Sequence, residues 1–154
     1  MKVKEVMVND VKACRPETNL AAAAQLMWVN DCGALPVLDE KDQVLGMITD
    51  RDICLAVGSR NRPASDISVF EVKPNPKELF TCSPDDDIHA ALKTMRERGV
   101  RRLPVVNAGK LRGILCLNEI TLKASERGAL SYEAVVQTLQ AISEHRLARR
   151  TVAV

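Results

Sequence analysis

The feature that most constrains this chain is an internal repeat. Displaced by 68 positions, the sequence meets itself: Cys14 falls on Cys82, Pro16 on Pro84, Ala22-Ala23 on Ala90-Ala91, Met27 on Met95, and Leu35-Pro36-Val37 on Leu103-Pro104-Val105. No gap is needed over that stretch. One residue is then lost in a turn, after which Gly46 meets Gly113 and Ile53 meets Ile120. An offset held through a helix, a strand and a turn marks a duplicated unit. The chain has 154 residues, 46% of them hydrophobic, enough for a core. Half of it alone is marginal by surface-to-volume scaling, so the halves are expected to pack together.

Each copy reads as a small β-α-β-β-α unit. Arg15-Pro16-Glu17-Thr18-Asn19 and Ser83-Pro84-Asp85-Asp86-Asp87 are helix-start segments, with Pro followed by capping or acidic residues. The first helix is expected from Pro16 to Asn30, with Leu20, Ala23, Ala24 and Met27 at helical spacing. Strands follow at Ala34–Leu38 and Val44–Thr49, and again at Leu103–Val106 and Leu111–Leu115, with short helices at about Asp50–Val57 and Asn118–Ala124. The expected organisation is residues 1–60 as the first repeat, 61–79 as a linker and 80–125 as the second repeat, its first strand starting in the linker. Residues 126–154 form a C-terminal helix and tail. Ile67-Ser68-Val69-Phe70 is a short strand or turn within the linker, which also holds Lys73-Pro74-Asn75-Pro76. Ser131 is placed as N-cap of the final helix, whose apolar face carries Val135, Val136, Leu139 and Ile142.

Composition excludes several functions. A net charge of +2 gives no electrostatic case for nucleic acid or membrane, and 3% aromatics gives no base-stacking surface. The basic run His145-Arg146-Leu147-Ala148-Arg149-Arg150 reads as a solvated helix end. The cysteines Cys14, Cys32, Cys54, Cys82 and Cys116 are odd in number, evenly spread and without a C-x-x-C, which argues for a reducing cytosol over disulfides or zinc. Met1–Glu5 lacks the apolar run of a signal peptide, and no apolar stretch is long enough to span a membrane. The expected location is cytoplasmic. No nucleophile has a matching His partner, and there is no phosphate loop of P-loop type and no metal-ligand spacing, so neither catalytic nor metal-binding residues are assigned and no enzyme is expected.

Gly33-Ala34-Leu35-Pro36-Val37-Leu38, followed by Val44-Leu45-Gly46-Met47-Ile48-Thr49-Asp50-Arg51-Asp52-Ile53, resembles the signature of a CBS domain, named after cystathionine β-synthase. Gly99-Val100-Arg101-Arg102-Leu103-Pro104-Val105-Val106, with Gly113-Ile114-Leu115-Cys116-Leu117-Asn118-Glu119-Ile120, resembles a second. The likeness covers roughly residues 1–125. It implies an α/β (α+β) fold in which two tandem CBS repeats pack with pseudo-two-fold symmetry as a Bateman module, plus a C-terminal helix. It implies two clefts between the repeats for adenosine-containing ligands: AMP, ADP, ATP, NAD-type dinucleotides or S-adenosylmethionine. It further implies a regulatory role in signal transduction, with no cofactor required, and pairing into a homodimer, parallel or antiparallel. An effector protein would read the ligand-induced change.

The same resemblance assigns residues. In the first copy, Thr49 and Asp52 occupy the positions that hold sugar or phosphate and the ribose hydroxyls, with Arg51 near a phosphate. Adenine would lie among Val6, Met7, Cys32, Gly33 and Met47, and phosphates would point toward Arg101 and Arg102. The second cleft has Cys116 for the hydroxyl residue and Glu119 for Asp, and is expected to be empty or selective for a less anionic ligand. The plainer readings stay open. Asp52 can cap the helix that follows, Met7 and Met47 can be core, Arg101-Arg102 can be a solvated pair, and Trp28 can cover packed or dimer surface. A structural interaction module with vestigial clefts is the alternative function.

Overall fold

A computed structural model of the chain describes residues 1–72, 79–126 and 128–151, with side chains through Glu144. The Lys73–Pro76 stretch and the side chains of the basic run from His145 lie outside the described residues. The elements are α1 (Leu20–Val29), β1 (Ala34–Leu38), β2 (Val44–Thr49), α2 (Asp50–Arg60), α3 (Val69–Val72), α4 (Ile88–Arg98), β3 (Arg102–Asn107), β4 (Lys110–Cys116), α5 (Leu117–Lys123) and α6 (Tyr132–Thr151). β1 and β2 pair antiparallel, with Ala34 opposite Thr49 and Pro36 opposite Met47, and β3 pairs with β4 in a second two-stranded sheet. Two apolar clusters form the cores, one around Leu20, Leu35, Ile48 and Ile67, the other around Ile88, Leu92, Met95, Leu103 and Leu115.

Both helix starts are built alike from different residues. Arg15 N–H donates to Thr18 Oγ1 at 3.0 Å, and Ser83 N–H donates to Asp86 Oδ2 at 2.7 Å. The caps proper are Asn19, which accepts from Ala22 N, and Asp87, which accepts from His89 N. The Pro16 segment therefore forms a capping turn, and α1 begins at Leu20, later than the proline suggests. Cys14 and Cys82 lie parallel to Val37 and Val105, each with its N–H on the carbonyl of the strand proline, Pro36 or Pro104. Proline has no N–H to offer, but its carbonyl still completes this pairing.

The compact units differ from the 1–60 and 80–125 division. One unit comprises Asp10–Leu79 with Gly109–Leu111, and the other comprises Met1–Asn9, Phe80–Ala108 and Arg112–Val154. The reason is where the apolar side chains go. Val3 and Val6 are buried in the core of Ile88 and Met95, so the N-terminal segment completes the second repeat. Ile67 and Val69 are fully buried beside Leu20, so the expected linker is part of the first repeat's unit. Ser68 N–H donates to Glu71 Oε1 at 3.0 Å, closing the short helix α3. The Arg62 guanidinium, then the Ser68 N–H, hold the Glu71 carboxyl below its usual range.

In α6, Ser131 Oγ accepts from Ala134 N at 3.2 Å, as an N-cap should. Val135, Thr138 and Ile142 are buried, whereas Val136 and Leu139 are exposed. At 3.6 residues per turn the buried arc centres near Thr138, which turns Val136 and Leu139 outward. Thr138 Oγ1 accepts from Arg96 Nη1 at 3.1 Å and donates to the Ala134 carbonyl, fixing α6 to α4.

Candidate functional site

β2 runs into α2 without an intervening residue, so Thr49 is at once strand end and helix N-cap. Its Oγ1 accepts from Asp52 N at 3.1 Å and donates to Asp52 Oδ2 at 2.8 Å, and Thr49 N–H reaches the same Oδ2 at 3.0 Å. One carboxylate oxygen is thus committed to a capping box. Oδ1 takes no protein donor among the described residues. The Asp50 N–H on the Gly33 carbonyl, at 3.3 Å, brings the turn before β1 against this junction. Arg51 is exposed, while Met47, Thr49 and Asp52 are half-buried.

Beside the junction, in the same unit, lies a pocket of about 460 Å³. Helix α1 contributes Met27 and Trp28, the turn contributes Asp31, Cys32 and Gly33, and α2 contributes Asp50, Ile53 and Cys54. Its charged lining is acidic, so it offers no countercharge to a phosphate. The Trp28 indole is 84% exposed, which matches a surface role rather than core. Sequence reasoning picked out Cys32 and Gly33 here but missed Asp31 and Cys54, which carry no motif, and gave no role to Asp50, which lies within the quoted signature.

The second repeat repeats the backbone and changes the chemistry. Leu117 N–H donates to the Arg101 carbonyl at 3.0 Å, the counterpart of Asp50 on Gly33. Cys116 occupies the N-cap place of α5 without a side-chain cap. Burial pushes its thiol up to about 12, Glu119 adds to the rise, and Arg102 opposes it. The Glu119 Oε2 atom is buried with no hydrogen-bond partner among the described residues. Arg102 thus acts on the Cys116 thiol of its own repeat, and Arg101 is exposed.

The expected ligand residues divide between the units. Cys32, Gly33, Met47, Thr49, Arg51 and Asp52 belong to one, and Val6, Met7, Arg101 and Arg102 to the other. The assignment of Val6 and Met7 to the first copy is corrected. Val6 is buried in the second repeat's core, and Met7 packs at Gly113, where an added Cβ would lie 3.2 Å from its sulfur. Among the described residues no group of three His, Cys, Asp or Glu side chains could hold a metal ion. No described helix is long and apolar enough to cross a membrane.

The family model of the CBS domain matches residues 3–59 and 69–126. The chain is 31% identical over 121 residues to the uncharacterized protein MK0525 of Methanopyrus kandleri, covering 78% of this chain and 61% of that protein. Among solved structures it is similar to Hypoxic Response Protein I with two coordinated zinc ions, at 28% identity and a TM-score of 0.73, over 81% of this chain and all (100%) of that one. It also shares a fold with the CBS domain pair of protein MJ0100 in complex with 5'-methylthioadenosine and S-adenosyl-L-methionine. That match has 20% identity and a TM-score of 0.68, over 79% and 94% of the two chains.

Proposed function

Because the chain belongs to the CBS-domain family, as a pair of such domains, we propose that it is a regulatory module that senses an adenosine-containing small molecule and catalyses no reaction. The observation that carries this reading is the duplicated strand-to-helix junction, each copy ending in a carboxylate three residues beyond the N-cap: Asp52 and Glu119. A carboxylate there can accept from the vicinal hydroxyls of a ribose. In the first repeat Thr49 and Asp52 form the polar end of the proposed seat, with Arg51 toward phosphate and Cys32, Gly33 and Met47 as the apolar wall. The adenosine ligands bound by the MJ0100 domain pair support the ligand class. A homodimer in the cytoplasm, read by an effector protein, completes the proposal.

The test is a thermal-shift screen with AMP, ADP, ATP, NAD, NADH and S-adenosylmethionine. A ligand at one hundred times its dissociation constant contributes about 2.7 kcal/mol, a rise of about 5–10 °C for a chain of this size. Asp52→Ala keeps the Thr49 cap but removes the carboxylate half of the capping box, lowering unliganded stability by about 0.5–1 kcal/mol. The diagnostic quantity is therefore the ligand-induced increment, which Asp52→Ala should abolish. No increment in the wild type with any of the six would sink the sensing reading. It would favour the alternative, a structural protein–protein interaction module, for which the commitment of Asp52 to the α2 cap already speaks.

A further inference from the structure

The two segments that complete the repeats are twins. Val3, Glu5 and Val6 match Val69, Glu71 and Val72, and each segment makes the same three backbone bonds across a helix cap. On the second repeat these are Ile88 N to Met1 O, Val3 N to Asp86 O and Lys4 N to Pro84 O; on the first they are Leu20 N to Ile67 O, Val69 N to Thr18 O and Phe70 N to Pro16 O. Each segment precedes one repeat in sequence and clamps the other.

The N-terminal clamp goes further. Val8 and Ile114 exchange N–H···O bonds of 2.9 and 3.0 Å, so the clamp ends in an antiparallel bridge to β4. The approach is so close that a Cβ at Gly113 would lie 2.5 Å from the Val8 carbonyl oxygen. β4 continues directly into Cys116 and Glu119, so the clamp ties the α4 cap to the second repeat's polar junction. Its outer hold is exposed: the Lys4 ammonium pairs with Asp85 at 2.7 Å on the surface.

We propose that Met1–Asn9 is a conformational latch on the second repeat, opening as one unit to free β4 and the Cys116–Glu119 junction while the first repeat stays folded. The latch stands whether or not the module binds adenosine ligands, and it gives the second junction a means of control that the capping box of the first lacks. Amide hydrogen exchange on the full-length chain tests it, in wild type, Gly113→Ala and Lys4→Glu. The amides of Val3, Lys4, Val8, Ile88 and Ile114 should exchange at one common opening rate. Gly113→Ala should raise that rate on the order of tenfold. Lys4→Glu, which turns the Asp85 pair into a repulsion without touching the core, should raise it less and in the same five amides. The Leu20, Val69 and Phe70 amides should not change. If Gly113→Ala does not fold, the Lys4→Glu pattern alone decides. Equal acceleration of both sets, or exchange of the five amides only at the global unfolding rate in every variant, would overturn the latch.

Discussion

At the scale of single residues, one exchange separates the two repeats. Thr49 caps α2 and holds the Asp52 carboxylate, whereas Cys116, at the equivalent place, makes no side-chain cap, and a Glu119 oxygen is buried with no donor among the described residues. A thiol is a weak acceptor for an N–H, so the difference follows from the atom type alone. Cys116→Thr should rebuild the cap of α5 and raise stability by about 0.5–2 kcal/mol, read from the denaturation midpoint at unchanged slope. The buried thiols also set an alkaline limit. Burial pushes Cys14 up to about 11 and Cys82 up to about 12 from a reference of 9.0. A raised thiol favours the folded state equally at all pH below that reference. Above it the unfolded chain loses the proton first, so stability falls as pH rises toward the folded values. Each thiol contributes a slope of about −1.4 kcal/mol per pH unit there. Replacing both by Ala should flatten the stability profile by about twice that slope between about pH 9 and 11, whatever the mutations cost at neutral pH. Thr49 and Asp52 were legible as a pair through the resemblance to the CBS signature. The capping box that joins them was legible only as one of two readings, because the same two residue types serve a helix cap and a ribose equally well.

At the scale of elements, the strands were the most readable part. β1 and β2 fall on the expected ranges, since a short apolar run between turn residues leaves little choice. Helix starts were less so: Pro16 marks a turn, and only the Asn19 cap fixes where α1 begins. The clamps were missed although their signal, Val-x-Glu-Val before each repeat, stands in the sequence. Four residues are too few to stand out against a long repeat, and α3 is a single turn whose stability comes from packing rather than propensity. Ile67 measures that packing. It lies in what reads as a linker yet is fully buried. Ile67→Ala should cost about 2–5 kcal/mol by equilibrium denaturation, where a true linker position would cost under about 0.5 kcal/mol.

At the scale of the whole chain, the duplication was visible at once, but the units it builds are not continuous in sequence. A repeat finder cuts where self-similarity stops, whereas a core closes where apolar side chains find partners. The two differ here because Val3 and Val6 fill the core around Ile88, far along the chain. A fragment of residues 80–154 therefore contains the second repeat as the 68-residue displacement marks it, but an incomplete one by packing. It lacks the two valines, the three backbone bonds at the α4 cap and the Val8 pairing of β4. Burial of two valines is worth about 3–4 kcal/mol, a large share of what a domain of that size can hold. The fragment should show low protection and a broad thermal transition by circular dichroism. A synthetic peptide of residues 1–9 added in trans should sharpen and raise that transition in a concentration-dependent way, as binding to the folded state alone requires. A peptide with both Val3 and Val6 replaced by Asp should have no effect. A fragment that melts cooperatively by itself, indifferent to either peptide, would show that the valines occupy the core without being needed to close it.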